Sequence, residues 1–182
     1  MAAKVARRLV IDASVARAAG DLTATFPLSK QCRDFLQALL ASPHLAVMTP
    51  AISAEWDRHQ SRSARVWRRT MMGRRKIVLL RDEPDLPADM ADRISATAGK
   101  SDERRAMAKD LLLLGAALAT DKTVVSGDST VRALFARAAA TVRELRGIVW
   151  VHPAEDAAGW VAAGARAEAG RRLAVYVQPE PQ

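Results

Sequence analysis

Short apolar runs alternate with longer segments of helical spacing along this chain. Leu9-Val10-Ile11, residues 45–48, residues 77–80, Thr123-Val124-Val125 and residues 148–151 are bounded by polar or turn residues. Such runs are the signature of strands buried on both faces. Between them, Phe35, Leu36, Leu39 and Leu40 recur at helical spacing in a segment opened by Pro27 and closed by Ser42-Pro43. Thr49 as N-cap and Pro50 in the first turn open a helix expected to run to about Met71 and to end at Gly73. Further helices are expected over 14–19, 87–97, 101–120, 129–140 and, in the C-terminal region, 154–168. Residues 173–177 read as a strand or a helix extension, and 178–182, with two prolines, as a disordered tail. Strands alternating with helices predict an α/β fold: a three-layer α/β/α sandwich around a central, mainly parallel sheet.

At 182 residues the chain reads as one domain over 1–151, with a C-terminal extension over 152–182 packed on it. Cys32 is the only cysteine, which excludes a disulfide framework or a cysteine-based zinc site and suits a reducing, cytoplasmic setting. The N-terminal apolar stretch is broken by Arg7, Arg8 and Asp12, too short for a signal core, and the apolar run 111–119 is too short to span a bilayer. No membrane partner is expected.

The net charge of +8 is concentrated. Residues 58–76 carry eight basic side chains, Arg58, Arg62, Arg65, Arg68, Arg69, Arg74, Arg75 and Lys76, and no acid, so the remainder is neutral. A basic helical segment at about 56–76 suits a phosphate backbone; a solvated helix face or a contact for an acidic protein is the other reading. Glu55, Arg58, Arg62, Arg65 and Arg69 follow one another at steps of three or four, so a continuous helix would lead from a carboxylate along an arginine stripe. Trp56 and Trp67 read as packing residues, because eight aromatics in all are too few for a base-stacking platform.

Four carboxylates carry the candidate chemistry. Asp12 and Asp128 follow predicted strands, where α/β sheets gather ligand groups, although each also suits an N-cap. Glu55 lies near a helix N-terminus, within pairing distance of Arg58 and His59. Asp110 lies mid-helix among Ala106, Leu113, Leu114 and Ala117, where a carboxylate is costly unless it meets a cation or a distant arginine. A pocket of four carboxylates calls for a divalent cation, and oxygen-ligated cations serve phosphodiester cleavage. A phosphatase of the haloacid-dehalogenase type needs a second aspartate where Ser14 stands, and a phosphoacceptor receiver needs an acidic pair that this chain lacks.

Leu9-Val10-Ile11-Asp12-Ala13-Ser14 resembles the opening strand of PIN-domain ribonucleases. Thr49-Pro50-Ala51-Ile52-Ser53-Ala54-Glu55 resembles their glutamate-bearing strand-to-helix junction. Lys109-Asp110 with its leucine run, Ala116-Ala117 and then Thr123-Val124-Val125-Ser126-Gly127-Asp128 resembles their second half. The resemblance covers about 9–137; the long interval between Glu55 and Asp110 and the extension beyond Val151 depart from the compact, VapC-type toxin members. It implies a Mg²⁺- or Mn²⁺-dependent endoribonuclease with Asp12 and Asp110 as principal ligands and Glu55 and Asp128 completing the set. Ser126, with Ser14, would supply supporting hydrogen bonds. By its helical spacing, the stripe of Arg58, Arg62, Arg65 and Arg69 would lead RNA to the carboxylates or meet an acidic partner such as an antitoxin tail. The partners implied are RNA, an antitoxin protein and a second copy in a homodimer. A housekeeping RNA-processing nuclease and a non-catalytic RNA- or protein-binding module are the alternatives.

Overall fold

A computed structural model describes residues 5–176. Five strands, β1 (Arg8–Ile11), β2 (Leu45–Met48), β3 (Ile77–Leu79), β4 (Thr123–Val125) and β5 (Val149–Val151), form one sheet in the order β3-β2-β1-β4-β5. Every pairing is parallel, so the sheet is wholly rather than mainly parallel. Helices on both faces complete the α/β/α sandwich. β1 lies at the centre, and Leu9, Val10 and Ile11 are fully buried, as a strand covered on both faces requires.

The strand order reverses direction at β1. The chain winds outward through α1 (Ala13–Ala18), α2 (Pro27–Ala41), α3 (Pro50–His59) and α4 (Arg62–Gly73) to β3. It then crosses by α5 (Met90–Ala96) and α6 (Ser101–Leu118) to β4 on the far side of β1, and continues through α7 (Ser129–Ala138) to β5. In such sheets the crevice beyond the carboxyl ends of the two strands flanking the reversal receives ligands. Here those strands are β1 and β4.

The expected single helix from Pro50 to Gly73 is two. Gln60 is extended at φ −61°, ψ 136°, and Ser61 caps α4 by accepting from Ala64 N at 3.1 Å. The break is held by α1: Ser61 N donates to Ala16 O at 3.0 Å and Ser61 Oγ to Ala19 O at 2.7 Å. A continuous helix would forfeit both bonds. The expected helix over 87–97 begins only at Met90, because Asp89 takes a left-handed φ of 62°. The helix expected over 154–168 shortens to α8 (Ala157–Ala162), which ends where Gly164 (φ 113°) and Ala165 (φ 48°) turn left-handed. Residues 173–175 form a single 3-10 turn rather than a strand or a long extension. Leu173 N donates to Ile148 O, and a single antiparallel bridge joins Val149 to Arg172. Val177 and the tail expected to be disordered lie outside the described residues. α8 packs against α2, and Leu173 is fully buried, so the C-terminal segment shares the core. No helix among the described residues is long and apolar enough to cross a membrane.

Two members of the basic run are structural. Lys76 Nζ donates to the carbonyls of Leu39 and Leu40 at 2.8 Å and of Ser42 at 2.5 Å, closing the C-terminus of α2, where free carbonyls and the helix dipole favour a cation. Arg68 pairs with Asp57 at 2.7 Å and lies 6.0 Å over the Trp56 ring. Lys76→Met keeps the stem and removes the ammonium. It is expected to lower stability by about 2 kcal/mol, since it strands part-buried carbonyls; urea denaturation beside a surface Lys122→Met control measures the loss.

Candidate functional site

Beyond the carboxyl ends of β1 and β4 lies a cavity of about 150 Å³ whose lining includes Asp12, Glu55, Asp110 and Asp128. The four carboxylates come from four places: the end of β1, the second turn of α3, the middle of α6 and the loop after β4. Trp56 holds two of these parts together. Its Nε1 donates to Ile11 O at 2.9 Å, fixing α3, and with it Glu55, against the residue preceding Asp12. Trp56 and Trp67 are buried and stacked with centroids 5.7 Å apart, the packing role expected of them.

Each carboxylate is held differently. Asp12 stands at the N-cap position of α1, but its side chain makes no capping bond. Instead its Oδ2 accepts from Ser14 Oγ at 2.5 Å and Ser126 Oγ at 2.8 Å, which leaves Oδ1 as the oxygen neither serine takes. Ser126 Oγ also accepts from Asp128 N at 3.1 Å, and Ser14 Oγ from Gly127 N at 2.9 Å. The loop after β4 is thereby stitched to the end of β1. Asp128 does cap α7, its Oδ1 accepting from Val131 N at 2.9 Å, while still lining the cavity. Glu55 meets Arg58 at 3.0 Å and His59 at 3.5 Å.

Among the described residues Asp110 has neither a capping bond nor an ion pair. The arginine partner that would make it a structural residue is not present among the described residues. Its side chain is 9% exposed, and burial, followed by the charge of Asp12, pushes its carboxyl up to about 7. Asp128 and Glu55 add smaller pushes, and only Lys109 opposes them. Among the described residues no three His, Cys, Asp or Glu side chains already close around one point as a ligand set. The carboxylates border a shared space with room for a cation and several waters. A donor set of carboxylate oxygens without sulfur suits a hard cation such as Mg²⁺ or Mn²⁺, and the raised carboxyl of Asp110 marks where positive charge is lacking.

The arginines divide differently from the expected stripe. Arg58 reaches Glu55 beside the cavity. The extended Gln60 separates α4 from α3. Arg62 then borders a cleft with Asp21, Arg33 and Trp67, and Arg65 and Arg69 a separate depression with Asp57, Gln60 and Met72. None of these three lines the carboxylate cavity, so the stripe is not continuous with Glu55. The cavity is also lined by Arg17 on α1, which the sequence reading passed over, and by Lys109 on α6 and His59, which it read only as neighbours of Asp110 and Glu55. Their signals were Arg17 one helical turn after Ser14 and Lys109 adjoining Asp110.

No protein-family model, curated protein or solved structure matches this chain.

The raised Asp110 carboxyl makes stability depend on pH. An unfolded aspartate titrates near 3.9, so the native state binds this proton more tightly; the stabilisation is present below about pH 4 and is lost as pH rises to about 7. In chelator, Asp110→Asn is expected to be more stable than the wild type by about 1–3 kcal/mol at pH 8, after allowance for solvent in the cavity. The gap should close toward pH 4. Denaturant titrations of the two proteins at both pH values check this.

Proposed function

We propose that this chain is a divalent-cation-dependent endoribonuclease of the PIN-like type. The observation that carries the reading is the convergence of four carboxylates at the sheet's switch point, one of them nearly buried and without a counter-cation among the described residues. Structural carboxylates in a fold are normally paired or exposed, and Asp110 is neither. The order of the motifs in the chain, from Asp12 through Glu55 and Asp110 to Ser126 and Asp128, supports the family resemblance.

Asp12 and Asp110 would hold the cation, with Glu55 and Asp128 completing its surroundings. A bound Mg²⁺ or Mn²⁺ supplies a water acidified toward neutrality and positive charge against the scissile phosphate. The chain's own part is positional. Ser14 and Ser126 lock the carboxylate of Asp12 in one orientation, so no side-chain freedom is lost when a ligand arrives. Trp56 fixes α3 against β1, which sets where Glu55 stands. Arg58 and His59 hold Glu55 in turn, so its carboxylate is oriented as well as charged. Asp128 uses Oδ1 for its cap and shares Ser126 with Asp12. Hydrolysis of the RNA backbone at this site would leave a 5′-phosphate and a 3′-hydroxyl.

The narrower role, a toxin with a cognate antitoxin and a homodimeric assembly, rests on the resemblance of the motifs. It calls for a small neighbouring gene encoding a DNA-binding partner.

Purified protein is expected to cleave single-stranded RNA in Mg²⁺ or Mn²⁺ and not in chelator. Asp12→Asn and Asp110→Asn should each reduce the rate by at least about 100-fold, the scale of losing electrostatic stabilisation at a reacting phosphate. Gel analysis of labelled RNA reads the result, and cleavage surviving both substitutions would remove the site.

A further inference from the structure

The cavity's cationic lining is small and specific. Arg17 and Lys109 line it beside the imidazole of His59, whereas Arg62, Arg65 and Arg69, which carry much of the net charge, border other clefts. His59 is engaged with Glu55. Arg17 and Lys109 are different. Both are exposed, and they come from separate elements, Arg17 from the last turn of α1 and Lys109 from the middle of α6. The Arg17 side chain makes no hydrogen bond or ion pair among the described residues, although four carboxylates share its cavity. Lys109 acts on Asp110 only through space. Arginines elsewhere on this surface do pair with neighbouring carboxylates, as Arg8, Arg93, Arg132 and Arg137 do. Two free cations bordering an acidic cavity are suited to anions that arrive from outside.

We propose that Arg17 and Lys109 are the substrate-phosphate-binding residues of this cavity, gripping the backbone phosphates that neighbour the one lying among the carboxylates. The inference rests on the nuclease reading for its substrate and replaces the α4 arginine stripe as the cavity's electrostatic guide. A polyanion approaching four carboxylates meets repulsion, and two cations at the cavity offset it where it matters. Arginine suits a phosphate by its planar fork, and lysine serves as a point charge.

The test has two arms. In the first, single-stranded RNA binding is measured by fluorescence anisotropy on the cleavage-deficient Asp110→Asn background in Mg²⁺, over a salt series. Arg17→Ala and Lys109→Ala are each expected to weaken binding about 5- to 30-fold and to reduce the salt slope by roughly 0.7, the value of one phosphate contact on a single strand. Arg17→Lys and Lys109→Arg should restore most of the slope, and unchanged thermal midpoints should show that the exposed substitutions leave folding intact. In the second arm, cleavage by otherwise wild-type protein is expected to show KM raised by a similar factor with kcat changed less than about 3-fold, the mark of an interaction made equally in ground and transition states. Salt slopes unchanged in both alanine variants would overturn the inference. Wild-type protein that binds RNA through these residues but fails to cleave it in either metal would overturn the nuclease reading and leave the phosphate contacts standing.

Discussion

Like charges brought together in a partly dry space repel, and the centre of this fold is organised around that fact. Asp110 is nearly buried on α6, its carboxyl raised to about 7 by burial and by Asp12, Asp128 and Glu55. The other three carboxylates are each stabilised locally: two serine hydroxyls hold Asp12, a helix N-terminus holds Asp128, and Arg58 with His59 holds Glu55. The uncompensated charge is thus confined to a single side chain and a single cavity. A fold selected for stability alone has a cheaper solution, a small apolar residue at 110 packed with Leu113 and Leu114. Retaining the carboxyl makes sense where a cation meets it.

The supporting structure serves that cavity. The reversal of strand order at β1 opens the crevice, and the Ser14, Ser126 and Gly127 bonds tie the ends of β1 and β4 together across it. The Trp56 bond to Ile11 O sets α3 beside them. On α6, Gly115 lets the loop after β3 approach closely. A Cβ there would stand 2.8 Å from Pro84 O, so any side chain would push away the loop that covers this helix.

Much of this was legible in the sequence, and what was not has a physical reason. Strands buried on both faces announce themselves as unbroken apolar runs, so Leu9-Val10-Ile11 and residues 45–48 were readable. Pro27, Pro50 and Ser42-Pro43 punctuate by local sterics and marked helix boundaries correctly. The break at Ser61 was invisible because its determinants are the carbonyls of Ala16 and Ala19, more than forty residues away. Ala165 adopts a left-handed conformation that its residue type does not advertise, and Asp89 one that aspartate tolerates but does not require. At the site, Asp110 stood out because aspartate on a small apolar helix face lacks a local excuse. The basic run misled because residue type does not reveal burial: Lys76 closes α2, Arg68 rests on Trp56, and Arg62, Arg65 and Arg69 leave the cavity with the helix break. Arg17 and Lys109 look like ordinary solvated charges until the fold places them beside the carboxylates.

The central claim is that this cavity takes a divalent cation, and thermal unfolding of the wild type against a Mn²⁺ titration at pH 8 tests it most directly. A cation that binds only the native state raises the midpoint with concentration. The account predicts a saturable rise in the wild type that Asp12→Asn and Asp110→Asn both abolish. A midpoint that does not move, or one that moves equally in all three proteins, would contradict it.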